Sequence, residues 1–116
     1  MTTQDTDQPI LFIGWDGAPH ELIEELLEEG SLPTLNRIAK DGYFGPLETV
    51  PYIMSSCAWS TFLTGKNAGK HGIFDFYSND FREGSYFRDP IDAQSRDATD
   101  LGELLNNRDR TIGQVN

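Results

Sequence analysis

The sequence predicts an α/β fold built on a parallel sheet, and three observations carry that expectation. The run Ile10-Leu11-Phe12-Ile13 is unbroken and apolar, the pattern of a strand buried on both faces. Two further extended stretches follow, Tyr43 to Ile53 and the one starting at Thr111. Amphipathic helical segments separate them, and the order strand, helix, strand, helix, strand is that of a parallel sheet. Three strands with open edges do not close an architecture. The expected core is therefore incomplete: residues 1–9 form a disordered lead, and 10–116 form the N-terminal strands and helices of a larger α/β domain.

Each helix has local signals. Pro19 suits a first turn, Leu22, Ile23, Leu26 and Leu27 make an apolar stripe, and Gly30 is a stop. Glu21, Glu24, Glu25, Glu28 and Glu29 solvate the rest of that helix. A second helix opens at Pro33, turns Leu35 and Ile38 inward and ends near Gly42. Tyr43 to Ile53 is broken by Gly45, Pro46 and Pro51, which confines it to an edge or bulged strand. Ala58 to Leu63 reads as a short helix stopped by Gly65. Asp75 to Thr99 mixes aromatic, charged and glycine residues without a period, the mark of a long loop. Asp100 is placed to cap a last helix, with Glu103 three residues on and Leu101, Leu104 and Leu105 facing in.

Composition limits the partners. Nineteen acidic against nine basic residues among 116 give a net charge of -10. That charge argues against nucleic acid polymers and anionic membranes, which it would repel. It also suits a very salty cytoplasm, so a halophilic source is expected. Cys57 is the single cysteine, which fits a reducing compartment. The N-terminus lacks the basic start and apolar stretch of a signal peptide, and the longest apolar run is too short to span a bilayer. The expected location is cytoplasmic.

A few residues stand where chemistry is placed. Asp16 follows the first predicted strand, where open parallel sheets keep their ligand crevice, and Gly14 and Gly17 leave its carboxylate accessible. The plainer alternative is a cap on the helix that Pro19 opens. Ser55 and Ser56 precede the helix from Ala58, where unpaired N–H groups and the positive end of the dipole stabilise an alkoxide or an anion. An ordinary serine N-cap is the commoner use of such a pair. Cys57 is a candidate nucleophile, but beside Ala58 and Trp59 a small core residue is its commoner reading. His71 is placed either to touch a substrate or metal or, more commonly for a lone histidine beside a turn, to pack or hydrogen-bond in a loop. Trp15 and Trp59 read as core or pocket wall. Gly65 to His71 approaches a phosphate-binding P-loop. It has three residues between its glycines in place of four, has His where Ser or Thr should hold magnesium, and follows a helix. It is not one.

Together these segments are more specific than any one alone. Gly14-Trp15-Asp16-Gly17, Leu32-Pro33-Thr34-Leu35 with Asp41-Gly42, Ala58-Trp59-Ser60-Thr61-Phe62-Leu63-Thr64-Gly65 and His71-Gly72-Ile73-Phe74-Asp75-Phe76 resemble the N-terminal part of the type I phosphodiesterase/nucleotide pyrophosphatase family. That family belongs to the alkaline phosphatase superfamily, and the resemblance runs from about Ile10 to Asn116. It implies a metal-dependent hydrolase acting on small phosphate esters, with an alkaline-phosphatase-like core and two divalent metal ions, usually zinc. Asp16 matches the first metal-ligand aspartate. The nucleophile lies nine residues before the Thr of the Thr-Gly pair, which makes it Ser55, also a metal ligand. Backbone N–H groups from Ser56 onward would receive a phosphoryl oxygen. Sulfatases carry their nucleophilic cysteine at that same offset, so Cys57, two residues late, argues against that branch.

Ser56 and Cys57 replace prolines common in similar members, and Phe76 stands where the nucleotide pyrophosphatase branch has an Asn that holds phosphoryl oxygens. The remaining Asp and His ligands of such enzymes come from later in the fold. The 116 residues by themselves are thus expected to be inactive. A truncated non-catalytic remnant or interaction module, and a phosphomutase-like or phosphonate-cleaving relative, are the alternatives.

Overall fold

The computed structural model describes residues 9–78 and 88–115, so residues 1–8 of the expected disordered lead lie outside the described set. The chain divides into two compact units, one running to Leu47 and one from Glu48 onward.

The first unit holds α1 (His20–Glu28) and α2 (Pro33–Asp41), which pack on each other. Pro19 is the N-cap of α1, its extended backbone leading into the first turn, and its carbonyl accepts from the Ile23 N–H at 3.2 Å. Gly30 follows the helix at φ +78°, a left-handed turn that glycine makes without a Cβ penalty. Pro33 starts α2 and Gly42 caps its end, donating to the Ile38 carbonyl at 3.0 Å. Ile23, Leu26, Leu27 and Leu35 are half-buried, while Ile38 is 58% exposed and does not turn inward as its spacing implied. The five glutamates are solvated as expected.

The second unit holds α3 (Ser55–Thr64), α4 (Ala68–His71), a single 3₁₀ turn at Ala93–Ser95 and α5 (Leu101–Asn106). Both α4 and α5 pack on α3. Among the described residues the buried ones are Cys57, Ser60, His71 and Ile73; half of these are polar and have to be hydrogen-bonded in place. Cys57 is the packing residue its neighbours implied. Trp15 and Trp59 are not core residues, being 56% and 37% exposed, and Trp59 meets Phe62 edge-on at 6.0 Å.

The expected parallel sheet is absent. Among the described residues there is no strand, and the first predicted one, Ile10 to Ile13, is 65 to 82% exposed. An apolar run records hydrophobicity, but a parallel strand also needs a neighbour on each edge to take its N–H and C=O groups. Neither of the other stretches is itself a strand among the described residues. Tyr43 to Ile53 forms no ladder, since two prolines remove donors from it, and Thr111 to Val115 is exposed without pairing. The described residues form a small helical structure and not an alkaline-phosphatase-like sheet core.

Among the described residues, extended pairing is limited to one antiparallel bridge, between Tyr77 and Pro90. The Ser78 N–H donates to the Asp89 carbonyl and the Ile91 N–H to the Phe76 carbonyl, each at 2.8 Å. This bridge lies inside the stretch read as an aperiodic loop. It joins Tyr77 to Pro90 within that stretch; residues 79–87 are outside the described set.

Candidate functional site

The helix bearing the serines begins three residues earlier than the sequence implied, at Ser55 and not at Ala58. Ser55 and Ser56 are thus first-turn residues, and Met54 is the N-cap. The extended backbone of Met54 lets its carbonyl accept the first helical bond, from the Ala58 N–H at 2.9 Å. Its side chain has no oxygen to offer, so the leading N–H groups of α3 receive no side-chain cap. A ten-residue helix with this kind of start directs N–H groups and the positive end of its dipole toward whatever lies before it. The far end is closed by Gly65 in the left-handed region, with the Gly65 N–H donating to the Thr61 carbonyl at 2.8 Å.

Ser56 has a second feature. Its Oγ is buried and has no hydrogen-bond partner among the described residues. The residue borders an open pocket of about 220 Å³ whose wall includes Ser60, Asp75, Phe76, Asp92 and Arg96. The charged groups of that wall are paired internally. Asp75 meets Arg88 at 3.1 Å, Arg96 meets Asp100 at 3.3 Å, and Asp92 caps the 3₁₀ turn through the N–H groups of Gln94 and Ser95. Phe76, singled out in the sequence as the residue in place of an Asn, lines the same pocket as Ser56.

His71 is fully buried at the end of α4. Its Nδ1 accepts from the Ile73 N–H at 3.1 Å, which leaves the proton of the neutral ring on Nε2, 3.0 Å from Thr61 Oγ1. Burial is the main cause holding its pKa below the ordinary value of 6.5, a hydrogen bond with its own backbone opposes that, and the charge of Arg96 lowers it further. The packing role expected for His71 is what the geometry provides. Its partner Thr61 was missed, and no local period could have marked a pair ten residues apart across a helix end.

A family model described as type I phosphodiesterase / nucleotide pyrophosphatase matches residues 10–107. The chain belongs to that family. Membership in the type I phosphodiesterases places it among hydrolases, in agreement with the resemblance read from the motifs around Asp16, Thr64 and His71. No curated protein and no solved structure matches the chain.

Asp16 lies in the first unit, and Ser55 and Ser56 in the second. Among the described residues there is no group of three or more His, Cys, Asp or Glu side chains able to hold a metal ion. Two zinc ions at ordinary coordination would take about six or more protein donors. The described residues therefore do not by themselves fit a two-ion centre. His20 is stacked at a tilt on Phe44, with ring centres 4.8 Å apart. Among the described residues, no helix is long and apolar enough to cross a membrane.

Proposed function

We propose that this family member carries the nucleophile-bearing part of a phosphoric ester hydrolase, with Ser55 as the nucleophile. The observation that supports this reading is the start of α3: Ser55 is its first residue, and Met54 gives no side-chain cap. A hydroxyl there lies within the field of the leading N–H groups, which lowers the cost of forming the alkoxide. Ser55 Oγ would form a bond to phosphorus as the P–O bond to the alkyl or aryl group breaks, its proton passing to solvent or to the departing ester oxygen. Water would later attack phosphorus, break the Ser55–phosphoryl bond and return a proton to Oγ. The N–H of Ser56 would donate a hydrogen bond to an equatorial oxygen of the transferring group.

Asp16 and Ser55 would be two of the donors to a pair of divalent ions, with zinc the preferred identity. Those ions would supply charge neutralisation and activation of the attacking oxygen. Because the described residues include no group of three or more metal-ligating His, Cys, Asp or Glu side chains, the 116-residue chain is expected to be inactive by itself. Small phosphate esters are the proposed substrates. The apolar Phe76 lining the same pocket as Ser56 gives no support to a preference for nucleotides.

The test is an assay of the purified chain on bis(p-nitrophenyl) phosphate, with and without added zinc, alongside Ser55→Ala and Ser56→Ala. No turnover and no tight zinc binding are expected. Zinc-dependent turnover abolished by Ser55→Ala would overturn the inactivity and uphold the nucleophile. Turnover that survives Ser55→Ala would overturn Ser55 itself.

A further inference from the structure

We propose that His71 is a pH-sensitive latch: neutral, it ties α3 to the turn after α4, and protonated, it releases that turn. The proposal is independent of the hydrolase reading.

Its basis is the use of both ring nitrogens inside the second unit. Nδ1 takes the Ile73 N–H at 3.1 Å and so must present a lone pair. Nε2 must then carry the single proton and donate it to Thr61 Oγ1, 3.0 Å away on α3. One side chain thus joins two segments that the chain visits ten and two residues apart from it. The site is closed, with His71 at 0% exposure and Ile73 also buried. The His71 carbonyl accepts from the Asp97 N–H at 3.1 Å, so the latch also touches the segment leading to α5.

A second proton has one place to go, Nδ1. There it would face the Ile73 N–H, setting donor against donor where water does not reach. The neighbouring elements offer the imidazolium little compensation. They carry Cys57 on α3, Lys70 on α4, Asp75 in its pair with Arg88, and Arg96 and Asp97 before Asp100 and Glu103. Arg96 is cationic and opposes a second positive charge, although it is itself paired with Asp100. Asp97 is the nearest carboxylate to the corner, its Oδ2 3.7 Å from where a Cβ on Gly72 would stand. Its recorded tie to His71 runs through its backbone.

The sign follows from linkage. The folded-state pKa of His71 is depressed, and burial is the main cause. The latch therefore contributes fully above pH 6.5, the unfolded value, and weakens as pH falls through the folded value. In that interval the unfolding equilibrium constant grows by up to about tenfold per pH unit. Between pH 6.5 and 5 ordinary carboxylates remain mostly ionised, so the step is separable from acid denaturation.

The experiment is residue-specific NMR on the full 116-residue chain from pH 8 to 5. It follows the His71 ring nitrogens and the exchange protection of the Ile73 amide. The expected result is the Nε2–H tautomer at pH 8, titration below 6.5, and loss of Ile73 protection in step with that titration. An Nδ1–H tautomer, a pKa at or above 6.5, or Ile73 protection unchanged through the titration would each overturn the proposal. His71→Asn keeps an acceptor for the Ile73 amide but cannot titrate, so the pH step at Ile73 should vanish. A step that persists in a folded His71→Asn chain places the switch elsewhere, and if that variant does not fold, the wild-type spectra decide.

Discussion

The guanidinium of Arg88 lies 3.1 Å from the carboxylate of Asp75, thirteen residues earlier. The same side chain donates from Nε to the Ser78 carbonyl at 2.8 Å and from Nη2 to the Tyr77 carbonyl at 3.1 Å, and it lies 5.9 Å from the Tyr77 ring centre. One planar fork thus satisfies a carboxylate and two carbonyls beside the Tyr77–Pro90 bridge. Lysine carries the charge but not the fork. Arg88→Lys is therefore expected to destabilise the chain, and Arg88→Ala to do so by about 1–2 kcal/mol, since both groups of the pair are only partly screened by solvent. Urea titration measures both. Full retention of stability in Arg88→Lys would show that charge alone holds this bridge.

Asp100 and Glu103 form a reciprocal cap on α5. The Glu103 N–H donates to Asp100 Oδ1 at 3.0 Å, and the Asp100 N–H donates to Glu103 Oε2 at 3.2 Å. Asp100 also holds Arg96 through its second oxygen. Asp100→Ala removes both and should cost about 1–2 kcal/mol. Asp100→Asn keeps the cap but weakens the ion pair and should cost less than Asp100→Ala. Glu103→Gln, which preserves the acceptor, should be close to neutral in thermal unfolding. Equal losses for Asp100→Ala and Asp100→Asn would assign the effect to Arg96 and not to the cap.

Capping signals of this kind explain what was legible. Pro19, Gly30, Pro33, Gly42, Gly65 and Asp100 each act within a turn of where they stand, and each marks a helix boundary in the structure. The sheet could not be read in the same way. Ile10 to Ile13 has the composition of a strand, but pairing depends on residues far away in sequence, and no strand forms among the described residues to take it. The start of α3 was misplaced because Ser55 and Ser56 were read as residues before a helix. It is Met54, a poor capping residue, that holds the N-cap position. For the candidate site, the motifs around Asp16 and Thr64 carry the family, while the chemical roles of Asp16, Ser55 and Ser56 rest on proposal. The buried Thr61–His71 pair and the Asp75–Arg88 pair were invisible, because a single hydrogen bond between distant positions leaves no periodic trace.

Gly65 gives the cleanest separation of backbone from packing effects in the second unit. It lies at φ +64° at the end of α3, and a Cβ built on it meets nothing within 4 Å. A side chain there is penalised by conformation and not by collision. Gly65→Ala should cost about 1 kcal/mol, Gly65→Asn less because asparagine tolerates this region, and Gly65→Val more because its β-branch does not. Thr64 reinforces the same end, donating through Oγ1 to the Ser60 carbonyl at 2.7 Å and accepting from the Lys66 N–H at 3.2 Å. The turn is thus held from both sides of Gly65, so the chain cannot escape the penalty by unwinding the last residue of α3 alone. Urea midpoints in the order Asn above Ala above Val are expected, with the slope of the transition unchanged. An alanine variant as stable as the parent would mean that Gly65 leaves the left-handed region in solution, and that α3 ends by some means other than this cap.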